Sequence, residues 1–129
     1  MTTDLTCLLI LTLWTLLLNH IPAVARITKG GVAWGLSNRE VMPEVAPWVG
    51  RADRAQRNHQ DNLALIAIVI LIAQITGQAD GITAISSIIM VVSRILHGLT
   101  YIAGNPLLRS TAYFVSILAL LTIVWRILT

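Results

Sequence analysis

Residues 51–76 read RADRAQRNHQDNLALIAIVILIAQIT, and this stretch decides the fold. A charged half runs into an apolar half with no proline or glycine between them. Arg51, Arg54, Asn58 and Asp61 recur at i, i+3, i+7 and i+10, which is one face of a helix. Extended back to Trp48, such a helix is roughly 40 Å long, longer than the roughly 30 Å hydrocarbon core of a bilayer. The apolar half therefore crosses a membrane. The charged half stands out of the membrane or is shielded by protein.

Three further segments match this one. Leu5–Ala25 carries no formal charge and is long enough to cross. Asn19, His20 and Pro22 sit near its end, where Pro22 is expected to kink the last turn without destroying the helix. Ala23-Val24-Ala25 mimics a signal-peptidase site, but a cleaved leader begins with basic residues, and this one has only Asp4 before Arg26. A third segment covers about 82–103 and a fourth about 107–127. Gly77-Gln78-Ala79-Asp80-Gly81 and Gly104-Asn105-Pro106 are the turns on either side of the third. Residues 26–48, with Gly30, Gly31, Gly35, Pro43 and Pro47, form the only sizeable loop. Helices are thus expected at about 4–25, 48–76, 82–103 and 107–127, in a single all-α domain spanning residues 1–129: an integral membrane four-helix bundle.

Composition agrees. Hydrophobic residues make up 56% of the chain and charged residues 12%, and the mean hydropathy is +0.77, which excludes an ordinary soluble domain. The net charge of +3 does not point to nucleic acid, because the cations flank apolar runs instead of forming an aromatic-interleaved patch. Eight of the nine Lys and Arg residues lie in or near the first and third connections. The positive-inside rule then puts connections 26–48 and 104–109 in the cytoplasm and both termini outside. The single cysteine, Cys7, lies in an apolar run and reads as a packing residue. His20, His59, His97 and Cys7 show no metal-ligand spacing, so no metal is expected.

Polar residues intrude on the apolar segments in three places: Arg54/Arg57/Asn58/Asp61, Arg94/His97/Tyr101 and Arg109/Ser110/Tyr113. All three fall at one membrane face if the chain crosses four times. Charges in or beside membrane helices are costly and mark functional sites by default. Arg54, Arg57, Arg94 and Arg109 against Asp61 leave a net positive site suited to carboxylates or phosphates. Plainer roles exist for each residue. Arg51 and Arg54 could snorkel to headgroups, and Arg109 could anchor a helix end. Arg57 and Asp61 are placed for an intrahelical ion pair. Arg94 could pair with Asp61 or Asp53. His97 and Tyr101 could make helix–helix contacts, and Asn19 an interhelical hydrogen bond.

The same residues resemble the MAPEG family, the membrane-associated proteins of eicosanoid and glutathione metabolism, and its short bacterial members in particular. Arg54-Ala55-Gln56-Arg57-Asn58, followed by Asp61 and Asn62, is similar to the second-helix motif R-A-x-x-N-x-x-E, with Asp61 one methylene shorter than the family glutamate. Asn38-Arg39-Glu40, Pro43 and Gly50-Arg51-Ala52 resemble the loop before it. Arg94, His97 and Tyr101, then Gly104-Asn105-Pro106, Arg109, Ser110 and Tyr113, resemble the third helix, turn and fourth helix. The likeness covers about residues 34–126.

It implies a homotrimer in a bacterial inner membrane that holds glutathione as co-substrate between subunits at the cytoplasmic face. An apolar small molecule would be the second substrate. Arg57, Asn58 and Asp61, with Arg54 and Arg94, would bind glutathione together with His97, Tyr101, Ser110 and Tyr113. Arg26 is a looser match, and Arg109 would be catalytic, holding the thiolate sulfur. The alternative is a non-catalytic membrane module binding anionic lipid or a partner membrane protein. A transporter or proton path is disfavoured by the absence of inverted repeats and broken helices.

Overall fold

The computed structural model describes all 129 residues and has four helices: α1 Thr3–Gly35, α2 Pro47–Ile75, α3 Gly81–Ala103 and α4 Pro106–Leu128. All four are long and apolar enough to cross a membrane. They run alternately up and down, so both termini and the α2–α3 turn share one end, the terminal end. The α1–α2 connection and the α3–α4 turn share the other, the loop end. Helix α3 touches all three others and packs most extensively on α4, whereas α1 and α4 do not meet.

Helices α2, α3 and α4 begin and end within a residue of their expected bounds. Helix α1 does not. It continues ten residues past Ala25 to Gly35, so the loop is 36–46 and not 26–48. Pro22 is accommodated inside the helix, and the break falls at Gly31, whose φ of 84° only glycine adopts cheaply. Two contacts hold the extension: Arg26 forms a bidentate ion pair with Asp53 of α2, and Ile27 packs over Gly35.

Only 24 of 129 residues are buried, while Leu9, Leu13, Leu17, Leu65, Ile85 and Leu118 are exposed. That inversion is what a lipid solvent permits, because tails are as apolar as leucine. The interior packs around Leu11, Ile66, Ile70, Met90 and Ile123, with Cys7 among them. Small residues allow close approach at one crossing. A methyl added at Gly98 would lie 3.0 Å from the Trp14 ring. His59 is buried and donates from Nε2 to the Leu11 carbonyl at 3.1 Å, and Gln60 donates to Asn19 Oδ1 at 3.1 Å. Both contacts tie α1 to α2.

The terminal end carries its own polar network. Asp4 is 2% exposed and accepts a 2.7 Å hydrogen bond from Ser87, with Thr83 Oγ1 3.3 Å away. Asp80 caps α3 through the Ile82 and Thr83 amides and accepts from Arg126 Nε at 2.7 Å. These contacts fasten the start of α1 and the end of α4 to the start of α3.

Two outcomes are expected. Gly98→Val forces Trp14 aside and lowers stability in detergent by about 1–3 kcal/mol, the usual cost of overpacking, read from the thermal midpoint. The hydrogen bond from Arg126, aided by the Thr83 amide, holds the Asp80 carboxyl below its usual value of 3.8. A lowered carboxyl stabilises the fold above its unfolded value and loses that contribution as pH falls through the folded value. The thermal midpoint therefore drops as pH goes below about 4, and Asp80→Asn, which keeps the cap, shrinks that drop.

Candidate functional site

The site begins with a buried cation. Arg94 lies on the inward face of α3, with Thr83, Ser87, Met90, Val91, His97 and Gly98, and is 1% exposed. No carboxylate reaches it. Asp53 is committed to Arg26, and Asp61 is exposed on α2. Instead Arg94 Nη2 donates to both oxygens of Asn58, 3.1 Å to Oδ1 and 3.2 Å to the backbone carbonyl. Its Nε and Nη1 are buried without partners. The two pairings open from the sequence, with Asp53 or Asp61, do not form.

Asn58, so held, forms one wall of an open cleft of about 320 Å³ at the loop end. The other walls are His97 and Tyr101 from α3 and Arg109, Ser110, Tyr113 and Phe114 from α4. The α3–α4 turn creates this convergence. Gly104 ends α3 in the left-handed conformation at φ 85°, and Asn105 caps α4 by accepting from the Leu108 amide at 3.1 Å. Arg109 and Ser110 are thereby brought beside the last turns of α3. His97 Nδ1 donates to the Arg109 carbonyl at 3.0 Å, which fixes the ring and leaves Nε2 buried without a protein partner. The ring meets Tyr101 edge-on at 5.5 Å and Tyr113 tilted at 5.8 Å. The Arg109 guanidinium lies over Tyr101, 4.8 Å from its centroid, a stacking that favours a fixed orientation.

Tyr101 and Arg109 also border a second, smaller pocket of about 180 Å³, completed by Arg51, Arg54, Thr100, Gly104, Asn105 and Pro106. Arg51 donates from Nε to the Ile102 carbonyl at 2.8 Å and packs against Gly104. It is anchored in protein and does not snorkel freely.

Six predicted residues, Asn58, His97, Tyr101, Arg109, Ser110 and Tyr113, thus share one cleft. Arg94 supports it from behind through Asn58, and Arg54 lines the adjoining pocket. Arg57 and Asp61 are exposed on α2 and form no ion pair with each other, since the chain's two ion pairs are Arg26–Asp53 and Arg126–Asp80. Arg26, in its pair with Asp53, lines neither pocket. Arg51, Thr100 and Asn105 were missed. The spacing of Arg51 from Arg54 signalled a shared face, but the backbone carbonyl that anchors it comes from another helix. The largest groove, about 700 Å³ and mostly apolar, lies between α1 and residues 45–49 and contains none of the predicted site residues.

A four-helix membrane protein with a basic cleft, built at one bundle end by its second, third and fourth helices, is the class that fold and site define. The MAPEG family model matches residues 5–129, essentially the whole chain, and the chain belongs to the MAPEG family. Membership places it in general among membrane proteins of glutathione and eicosanoid metabolism. No curated protein matches the chain in sequence.

The Arg94–Asn58 contact has an asymmetric expectation. Asn58→Leu leaves the buried cation with the residue-58 backbone carbonyl alone and costs about 1.5–3 kcal/mol, whereas Arg94→Met removes the charge itself and costs less. Unfolding of the two purified variants in detergent checks the order.

Proposed function

We propose that the protein is a glutathione-dependent membrane enzyme. It transfers glutathione to an apolar electrophile, or reduces an apolar hydroperoxide, at the cytoplasmic membrane face. The observation that carries this reading is the lining of the larger cleft: a guanidinium, an amide, an imidazole and three hydroxyl groups converge there with no carboxylate among them. That donor set fits a polyanionic, polyfunctional thiol. The cleft's 320 Å³ is at the small end of the range for ligand sites.

Arg109 is the residue to hold the reacting sulfur. A free thiol titrates near 8.5, and each unit by which a cation lowers that value corresponds to about 1.4 kcal/mol. The Tyr101 ring restrains the guanidinium, so little rotamer freedom remains to be lost on binding. Ser110, Tyr113 and Tyr101 have hydroxyls to orient the peptide. In transfer, the thiolate forms a carbon–sulfur bond and the displaced electron pair takes up a proton. In reduction, two thiols convert a hydroperoxide to an alcohol and water and leave as a disulfide.

The exposed Arg57 and Asp61 support assembly as a homotrimer. A site shared between subunits needs polar residues that one copy presents and does not itself use, and these two satisfy that description. Asp61 would then meet the ligand amine from a neighbour. The cytoplasmic placement rests on the Arg and Lys bias of the loop end.

Glutathione is expected to raise the thermal midpoint of the detergent-solubilised protein and to give an ultraviolet thiolate difference signal. Arg109→Ala should remove that signal while the protein keeps its oligomeric size. An unchanged thiolate signal in this variant would rule out the role given to Arg109.

A further inference from the structure

The largest groove of the molecule lies apart from the cleft and shares no residue with it. Its volume is about 700 Å³, inside the range of roughly 300–1,000 Å³ typical of ligand sites. One wall is a single face of α1, where Leu17, Ile21, Val24 and Thr28 recur at i, i+4, i+7 and i+11. The other wall is the chain entering α2, with Val45, Trp48 and Val49. Arg26 with Asp53 and Asn19 with Gln60 tie α1 to α2, so contacts outside the groove hold its walls in place.

Apolar walls alone name no occupant. The charge at one end does. Lys29 is the only charged residue lining the groove, and no acidic residue lines it. Lys29 belongs to neither of the chain's two ion pairs. The neighbouring polar groups are engaged within α1: His20 Nδ1 donates to the Leu16 carbonyl, and Thr28 Oγ1 donates to the Val24 carbonyl. The Lys29 ammonium, with three N–H donors, is therefore the group that a ligand meets.

Length and depth narrow the choice. Leu17 and Lys29 are twelve residues apart, about 18 Å of helix, slightly more than half of the roughly 30 Å hydrocarbon core. Lys29 stands four residues past Ala25, about 6 Å beyond the apolar run. That is headgroup level, where Trp48 beside it is also at home. The groove thus runs from the headgroups into one leaflet, cationic at its mouth and apolar within. Leu17 and Val24 are 58% and 57% exposed, so it opens sideways to the bilayer. This shape and polarity suit one chain of a diacyl lipid whose second chain stays in the bilayer. A zwitterionic headgroup brings its own cation beside the phosphate. An anionic headgroup brings none, so an unanswered ammonium favours it.

We propose that the groove between α1 and the start of α2 holds one acyl chain of an anionic glycerophospholipid, drawn from the leaflet at the loop end, with its phosphate on Lys29. The site is independent of the glutathione reading, and its test involves no thiol.

The test uses the purified full-length protein in nanodiscs of equal parts phosphatidylglycerol and phosphatidylcholine with the same acyl chains. A photoreactive benzoylphenylalanine replaces Val24, and its adducts are identified by mass spectrometry. Leu99, exposed on α3 and outside the groove, takes the same probe as a control. At Val24 the adduct is expected to be phospholipid, with phosphatidylglycerol enriched about fivefold, the preference that one lysine confers beside an anionic lipid. At Leu99 the two lipids should appear in the ratio of the bilayer. Lys29→Gln should bring the Val24 ratio down to that of the control. Val24 and Lys29 are both exposed, so neither change disturbs the core. The proposal is overturned if the Val24 adduct is a second copy of the chain or another protein. It is equally overturned if phosphatidylglycerol is not enriched there, if Leu99 shows the same enrichment, or if Lys29→Gln leaves the enrichment intact.

Discussion

A buried guanidinium with no acidic partner is the constraint around which the loop end is organised. Taking Arg94 out of water costs several kcal/mol even after the protein relaxes, and lipid on the outside of the bundle offers it nothing. Asn58 alone answers it, through its side-chain oxygen and its backbone carbonyl. The contact fixes α2 against α3 in both height and rotation, because a helix displaced by one residue would carry Asn58 about 100° away from Arg94. Once this register is set, His97 and Tyr101, one and two turns further along α3, face the start of α4. The cleft follows from a pairing that is not itself part of the cleft surface.

Hydropathy and turn chemistry made three of the four helices legible to within a residue, because in lipid an apolar run bounded by Gly, Asp, Asn and Pro has no structural option other than helix. Residues 26–35 escaped that logic. Lys29, Gly30 and Gly31 carry loop composition; the helix runs on through Gly30, breaks only at Gly31, and is pinned to α2 by a tertiary contact, Arg26 with Asp53, which no local window contains. Similarly, periodicity put Arg94, His97 and Tyr101 on one face and so revealed the candidate site. It could not reveal partners. The neighbour of Arg94 is an amide and not an acid, and Arg57 and Asp61 stay apart despite their i, i+4 spacing. Exposed pairs of that kind are worth only a few tenths of a kcal/mol, too little to hold two flexible side chains together. Asp4 was legible only as a charge near the start. Its burial beside Ser87 depends on α3 arriving from more than eighty residues away.

The largest groove shows why size alone misleads in a membrane protein. Between α1 and the start of α2 lie about 700 Å³ of mostly apolar surface, in a bundle whose outer faces meet lipid throughout. An apolar groove there costs almost nothing to form, since acyl chains can fill it. A polar cleft does carry a cost, because each donor that points into it is lost to bulk water. The small clefts walled by Arg109 and Tyr101 are therefore the stronger signal, even though both are less than half the size of the groove.

The two ends of the bundle handle charge in opposite ways, and the difference assigns their roles. At the terminal end Asp80 meets Arg126 and Asp4 meets Ser87, so each acid is answered from within the chain and the contacts bind three helices together. At the loop end Arg51, Arg54 and Arg109 border shared space with no acid among them. Arg94 sits behind with two nitrogens unpartnered, and Arg57 faces outward. A set of unanswered cations lowers stability through mutual repulsion and desolvation. The terminal end is complete as one folded chain; the loop end leaves cations that the proposed anionic ligand answers. That is the physical reason to look for the anionic thiol at this face.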